Sequence, residues 1–300
     1  MQTLSQNLDK QLTDLSWSLW TELGVAGVTQ NHQQFLIFPE ELILLTALLS
    51  EKDPRLMEEA LDWCSRYHRF ISVSRMKMLA KAWGKSAIDA LSIFSATLNS
   101  VSRANWPLLS PANPLKFKPS GKSKPPRFEN PALLLFRLRS LFGVGARADL
   151  IAYFLAQKKS DYAISDATEI GYTKRNLADV FESFVRAGIF DLFLARNQQR
   201  YRFLKRDEIA KMLSPFPQFM PPWRKIFEVI LKLRECIRKI EKKSDSTKIV
   251  EIRNVLMDME EQLTQLNLTP PPMQPDFHIY WDSFCNWILG ILPSLAEAAE

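Results

Sequence analysis

The chain has few of the residues that would mark an enzyme, a secreted protein or a membrane protein. Its three cysteines (Cys64, Cys236, Cys285) lie far apart without CxxC spacing. That leaves no disulfide framework or zinc cluster and suits a reducing cytoplasm. Three isolated histidines (His32, His68, His278) and the lack of a phosphate loop, paired metal ligands or a nucleophile elbow argue against catalysis. No catalytic residue, metal ligand or cofactor is assigned, and the chain reads as a non-enzyme. With nine glycines and scattered strand-like runs, a large β or α/β fold has little room. The N-terminal MQTLSQNLDK has no apolar core of the kind a signal peptide needs, and the longest apolar run, 279–292, is broken by Asp282 and Asn286. Neither secretion nor a membrane span is expected, and the expected location is cytoplasmic.

What is present is a 300-residue chain with 46% hydrophobic residues, enough for two or three buried cores. Long Leu-, Ala-, Lys- and Glu-rich stretches favour helix, so the expected fold is mainly α. The formal charge of +6 is unevenly placed: −2 over residues 1–100, +9 over 101–160, +2 over 161–206 and −3 over 207–300. A basic middle between mildly acidic ends is the pattern of a domain facing a polyanion, with a solvated linker as the plainer alternative.

Residues 1–102 read as a helical domain. Helices are predicted over 12–23, 40–50, from the Asp53 cap to Phe70, from a Ser72 or Ser74 cap through Trp83, and over 88–101. The cluster Arg66, Tyr67, His68, Arg69, Ser72, Ser74, Arg75 and Lys77 is a candidate second nucleic-acid surface, set against a solvated helix face. Residues 103–127 form a proline- and lysine-rich linker, expected to be an extended, mobile strap whose Lys116, Lys118, Lys122, Lys124 and Arg127 could track phosphate backbone. Gly143-Val-Gly145-Ala-Arg-Ala148 matches GxGxxA, but a helical pattern rather than a strand precedes it, so a tight helix–helix turn is expected there.

The segment 128–206 carries the most information. Helices are predicted over 133–142 and 148–157, then a short helical run 164–170 stopped at Gly171 and a second helix. In that helix Leu177, Val180, Phe181, Phe184 and Val185 form one apolar stripe. Gly188 ends it, and strand-like runs 191–195 and 200–204 flank a polar turn, 196–199. The residues ISDATEIGYTKRNLADVFESFVRAGIF resemble the second and third helices of winged helix-turn-helix regulators, and LFRLRSLFGVGARADLIAYFLAQ resembles the helices before them. The resemblance covers about a third of the chain. It implies a recognition helix lying in the major groove, with the hairpin as a wing over neighbouring backbone.

On that basis the candidate DNA-binding residues are Arg147, Tyr172, Thr173, Lys174, Arg175, Asn176, Asp179, Arg196, Asn197, Gln198, Arg200 and Arg202. Arg175 and Asn176 have the donor geometry for guanine and adenine edges, and Thr173 and Lys174 suit phosphate or thymine methyl groups. Asp179 would accept from cytosine or orient Arg175, and Arg147 would reach a phosphate from its helix start. Residues 207–300 read as a C-terminal helical hairpin with an aromatic capping segment. Ile226, Ile230, Leu233, Ile237 and Ile240 form one heptad-like series, and Ile249, Ile252, Leu256, Met259, Leu263 and Leu266 form the other. This pair either packs within the chain or makes a homodimer. The expected function is a sequence-specific DNA-binding transcriptional regulator whose partner is double-stranded DNA. The alternative is a non-catalytic interaction scaffold or antitoxin-like component that docks a protein partner through the winged helix.

Overall fold

A computed structural model describes residues 3–27, 32–157, 159–217, 219–274 and 276–297. The protein is mainly helical with one small antiparallel hairpin. It divides into two compact units: Trp17–Met220, and Met1–Ser16 together with Pro221–Glu300. The helical block, the strap and the 128–206 segment therefore share one unit.

The first helix, α1 (Leu4–Glu22), contributes to both units. Helix α2 (Pro39–Leu48) begins on a proline, whose missing N–H costs nothing at that position, and Pro39 to Ala47 are all buried. A helix with no polar face has to be enclosed. Helices α3 (Pro54–Tyr67), α4 (Val73–Trp83) and α5 (Lys85–Val101) pack around it. The expected caps form: Asp53 accepts from the Leu56 N–H at 2.9 Å and Ser72 from the Arg75 N–H at 3.4 Å.

The strap is extended, but it is not a loose tether. Ser92 Oγ accepts from the backbone N–H groups of Leu109 and Ser110, and Thr97 Oγ1 from that of Leu115, at 2.9–3.0 Å. Asp62 accepts from the Gly121 N–H at 2.8 Å and the Ser123 hydroxyl at 2.8 Å, and the Lys124 N–H donates to the Gly24 carbonyl at 2.8 Å. Trp106 is buried against Phe94. Proline removes some donors here, but Leu109, Ser110, Leu115, Gly121, Ser123 and Lys124 find acceptors on α3, α5 and the turn after α1.

Helices α6 (Leu134–Phe142) and α7 (Ala146–Ala156) are joined through Gly143 and Gly145, both at positive φ, so the GxGxxA sequence is a helix–helix turn. A 3-10 helix, Ile164–Ile170, ends at Gly171 in the left-handed region. Helix α8 (Lys174–Arg186) follows, then β1 (Phe190–Ala195), β2 (Gln198–Phe203) and α9 (Arg206–Leu213). The strands pair from Phe190↔Phe203 to Ala195↔Gln198. The loop is thus the two residues Arg196 and Asn197, both at positive φ, the two-residue turn that matches strand twist. This shortens the four-residue turn expected from sequence, because Gln198 and Gln199 join the ladder. Tyr162 adds a further bridge to Tyr201 through two backbone hydrogen bonds of 2.9 and 2.8 Å.

In the other unit, α10 (Trp223–Ile240), α11 (Asp245–Asp258), α12 (Glu260–Gln265) and α13 (Phe277–Glu297) carry the C-terminal pattern. The whole Ile226–Ile240 series is buried, as are Ile252, Met259 and Leu263 of the second series. That second series is split where the chain leaves helical geometry at Met259. Among the described residues no helix is long and apolar enough to cross a membrane.

Candidate nucleic-acid interface

The physical chemistry of α8 separates it into two faces. Leu177, Val180, Phe181 and Phe184 are buried. At about 100° per residue, Arg175, Asp179, Glu182 and Arg186 fall on the opposite side, and all four are exposed. The buried stripe enters an aromatic cluster built from α7, α8 and the hairpin: Phe154 lies 4.2 Å from Tyr162, Phe181 4.3 Å from Tyr201, and Phe190 4.6 Å from Phe203 between ring centroids. Rings packed at these separations add to the area they bury, and they fix the hairpin to the helix.

At the N-terminus of α8, Thr173 is the cap, its hydroxyl accepting from the Asn176 N–H at 3.3 Å. Lys174, Arg175 and Asn176 are exposed, and among the described residues neither cation makes an ion pair. The partial positive charge of a helix start adds to theirs. Farther along, Glu182 pairs with Arg186, so the positive character is confined to the first turn. Arg147 is exposed in the first turn of α7, and Arg196, Asn197 and Gln198 are exposed at the hairpin tip. Arg202 is exposed with its guanidinium 4.8 Å from the Phe193 ring centroid.

Two candidates are placed differently from the sequence expectation. Tyr172 is buried, and its hydroxyl donates to Asp149 at 2.9 Å with the Ser72 hydroxyl 3.3 Å from its oxygen. The turn at Gly171 sends this ring inward, so Tyr172 does not belong to an outer surface. Arg200 is half-buried and donates from Nε to Asp161 at 2.6 Å, so its fork is already occupied and holds the Asp161 carboxyl below its ordinary range.

Behind the turn lies a buried ionic network that sequence reasoning missed. Arg139 bridges Asp149 with two bonds of 2.9 Å and donates to Glu40 and to the Phe70 carbonyl at 2.6 Å. Arg75 donates to Glu40 at 2.7 Å, forks onto Glu41, and gives its Nε–H to the Ile170 carbonyl at 2.6 Å. Glu40, Glu41, Arg75, Arg139 and Asp149 are each no more than 3% exposed. Charges this deep persist only when paired and hydrogen-bonded. Burial tends to raise Glu40, but Arg139 and Arg75 outweigh it and hold that carboxyl below its ordinary range. At Glu41 burial prevails and pushes the carboxyl up, against the pull of Arg75. Three carboxylates thus face two guanidiniums in this cluster.

The network also removes two residues from the second surface suggested around Arg66–Lys77, while Arg66, Arg69 and Ser74 are exposed. Arg75 and Ser72 are buried in it, while Arg66 bonds Asp62 and the Ser123 carbonyl, both at 3.0 Å. The available sequence signal was two adjacent glutamates inside the apolar run 35–49, and the charges Arg139 and Asp149 in helices rich in leucine, alanine and phenylalanine. Comparison of the chain with protein-family models, curated proteins and solved structures gave no match.

Proposed function

We propose that this protein is a non-catalytic, sequence-preferring double-stranded DNA-binding regulator that uses residues 128–206 as a winged helix-turn-helix. The observation that carries this reading is the α8 start. It presents Lys174, Arg175 and Asn176 to solvent on a helix whose other face is locked into an aromatic core. The left-handed Gly171 turn before it and the two-residue hairpin after it give the order of parts that such modules use, and the Tyr162–Tyr201 bridge ties the chain ahead of the 3-10 helix to the hairpin. In this reading the first turn of α8 reads base edges, Arg147 and the hairpin tip contact backbone, and Arg200 and Tyr172 support the scaffold.

Binding to genomic fragments that include the protein's own promoter, followed by anisotropy at two salt concentrations, tests it. Saturable, site-preferring binding is expected, and Arg175→Ala should cost about 1–3 kcal/mol of site preference. Binding that is weak, indifferent to sequence and unchanged by Arg175→Ala would overturn it. That outcome would favour a protein-docking scaffold or antitoxin-like component, a reading supported by the hairpin leucines Leu192 and Leu194, which are 43% and 75% exposed. The Ile226–Ile240 seam is already covered within the chain, so a homodimer would need another surface.

A further inference from the structure

We infer that the strap of residues 103–127 is a second, preformed contact for the phosphate backbone of duplex DNA; this rests on the duplex-binding reading above. The segment holds six cations and no acidic residue. Lys116, Lys118, Lys122, Lys124 and Arg127 are all exposed, and among the described residues none of the five is in an ion pair. Asp62 is taken by the Gly121 and Ser123 donors and by Arg66, and Glu59 lies close enough to Lys122 to feel its charge.

Exposed lysines on a free tether would ordinarily be solvated and would lose chain entropy on binding. Here the backbone is already fixed on either side of Lys116 and Lys118 and at Lys124 itself. Ser92 and Thr97 hold 109–115, Asp62 holds 121–123 and the Gly24 carbonyl holds Lys124, all through main-chain N–H groups, and Asp62 also takes the Ser123 hydroxyl. Those anchors consume no lysine side chain. They leave two pairs of cations at i, i+2 spacing in extended backbone, Lys116 with Lys118 and Lys122 with Lys124. An ordered row of cations gives up less freedom when it meets a polyanion, so more of its Coulomb attraction appears as affinity. The strap also lies in the same compact unit as α8.

The test uses the full-length chain and a long labelled duplex, with affinity measured by anisotropy across a series of KCl concentrations. Three variants are compared with wild type: Lys116→Gln/Lys118→Gln/Lys122→Gln/Lys124→Gln, the tip variant Lys174→Ala/Arg175→Ala, and the charge-matched Lys81→Gln/Lys211→Gln/Lys242→Gln/Lys243→Gln. If the strap lies on phosphates, its variant lowers the slope of log affinity against log salt by about 0.9 for each phosphate no longer neutralised, while site preference is kept. The charge-matched variant should leave the slope near that of wild type. A strap variant with the wild-type slope, in a protein whose tip variant binds worse, overturns the inference and leaves the duplex-binding reading standing. An equal fall in slope for the charge-matched variant also overturns it, since net charge alone would then be responsible. A wild-type chain that binds no duplex overturns both.

Discussion

Replacing Arg139 with methionine should destabilise this protein in a way that acid partly repairs. Arg139 is fully enclosed and serves Asp149, Glu40 and the Phe70 carbonyl at once. Methionine keeps much of the volume and removes the charge, leaving Arg75 alone against three buried carboxylates. Breaking a buried pair from one side costs about 3–5 kcal/mol. In a unit the length of Trp17–Met220 that corresponds to a fall in Tm of about 6–20 °C at pH 7. The pH dependence then changes sign. In the wild type Glu40 is held below its unfolded value, so its contribution is present above the unfolded pKa and is lost as pH falls through the lower folded one. In Arg139→Met the unpaired carboxylates should have raised folded values instead. Their penalty is full at neutral pH and shrinks as pH falls toward the unfolded range, so the gap to wild type should narrow between pH 7 and pH 5. Thermal melts of both proteins at the two pH values measure this. A loss of less than about 3 °C, or a gap that widens on acidification, would refute the claim that Arg139 neutralises this cluster.

Two smaller experiments probe the same unit. Tyr172→Phe removes a buried hydroxyl bonded to Asp149 and Ser72 and should cost about 1–3 kcal/mol in urea unfolding, whereas a residue facing outward would cost almost nothing. His32 is held by burial at a pKa of about 4, with its Nδ1 2.7 Å from the Ser18 hydroxyl. Because the folded value lies below the unfolded one, its contribution is present above about pH 6.5 and is lost as pH falls toward 4. An NMR titration of the imidazole should show a midpoint near 4, and a midpoint above 6 would contradict the burial.

Whatever was decided within a turn or two of chain was already written in the sequence. Asp53 caps the helix it was expected to cap and Ser72, one of two candidates with Ser74, caps the next, because a cap needs only its own side chain and an N–H three residues on. The stripe from Leu177 to Phe184 and the seam from Ile226 to Ile240 are buried because helical period alone puts them on one side. The polar tip at Lys174, Arg175 and Asn176 is exposed at the first turn of α8. Tertiary structure decided which charges have partners. Glu40 and Glu41, Arg75, Arg139 and Asp149 come from four helices that no local pattern relates, so nothing near Tyr172 in sequence announced that its hydroxyl would join them. The strap shows the same division. Its prolines and lysines determined that it is extended and basic, but its order depends on acceptors at Ser92, Thr97 and Asp62, which only folding brings alongside its backbone.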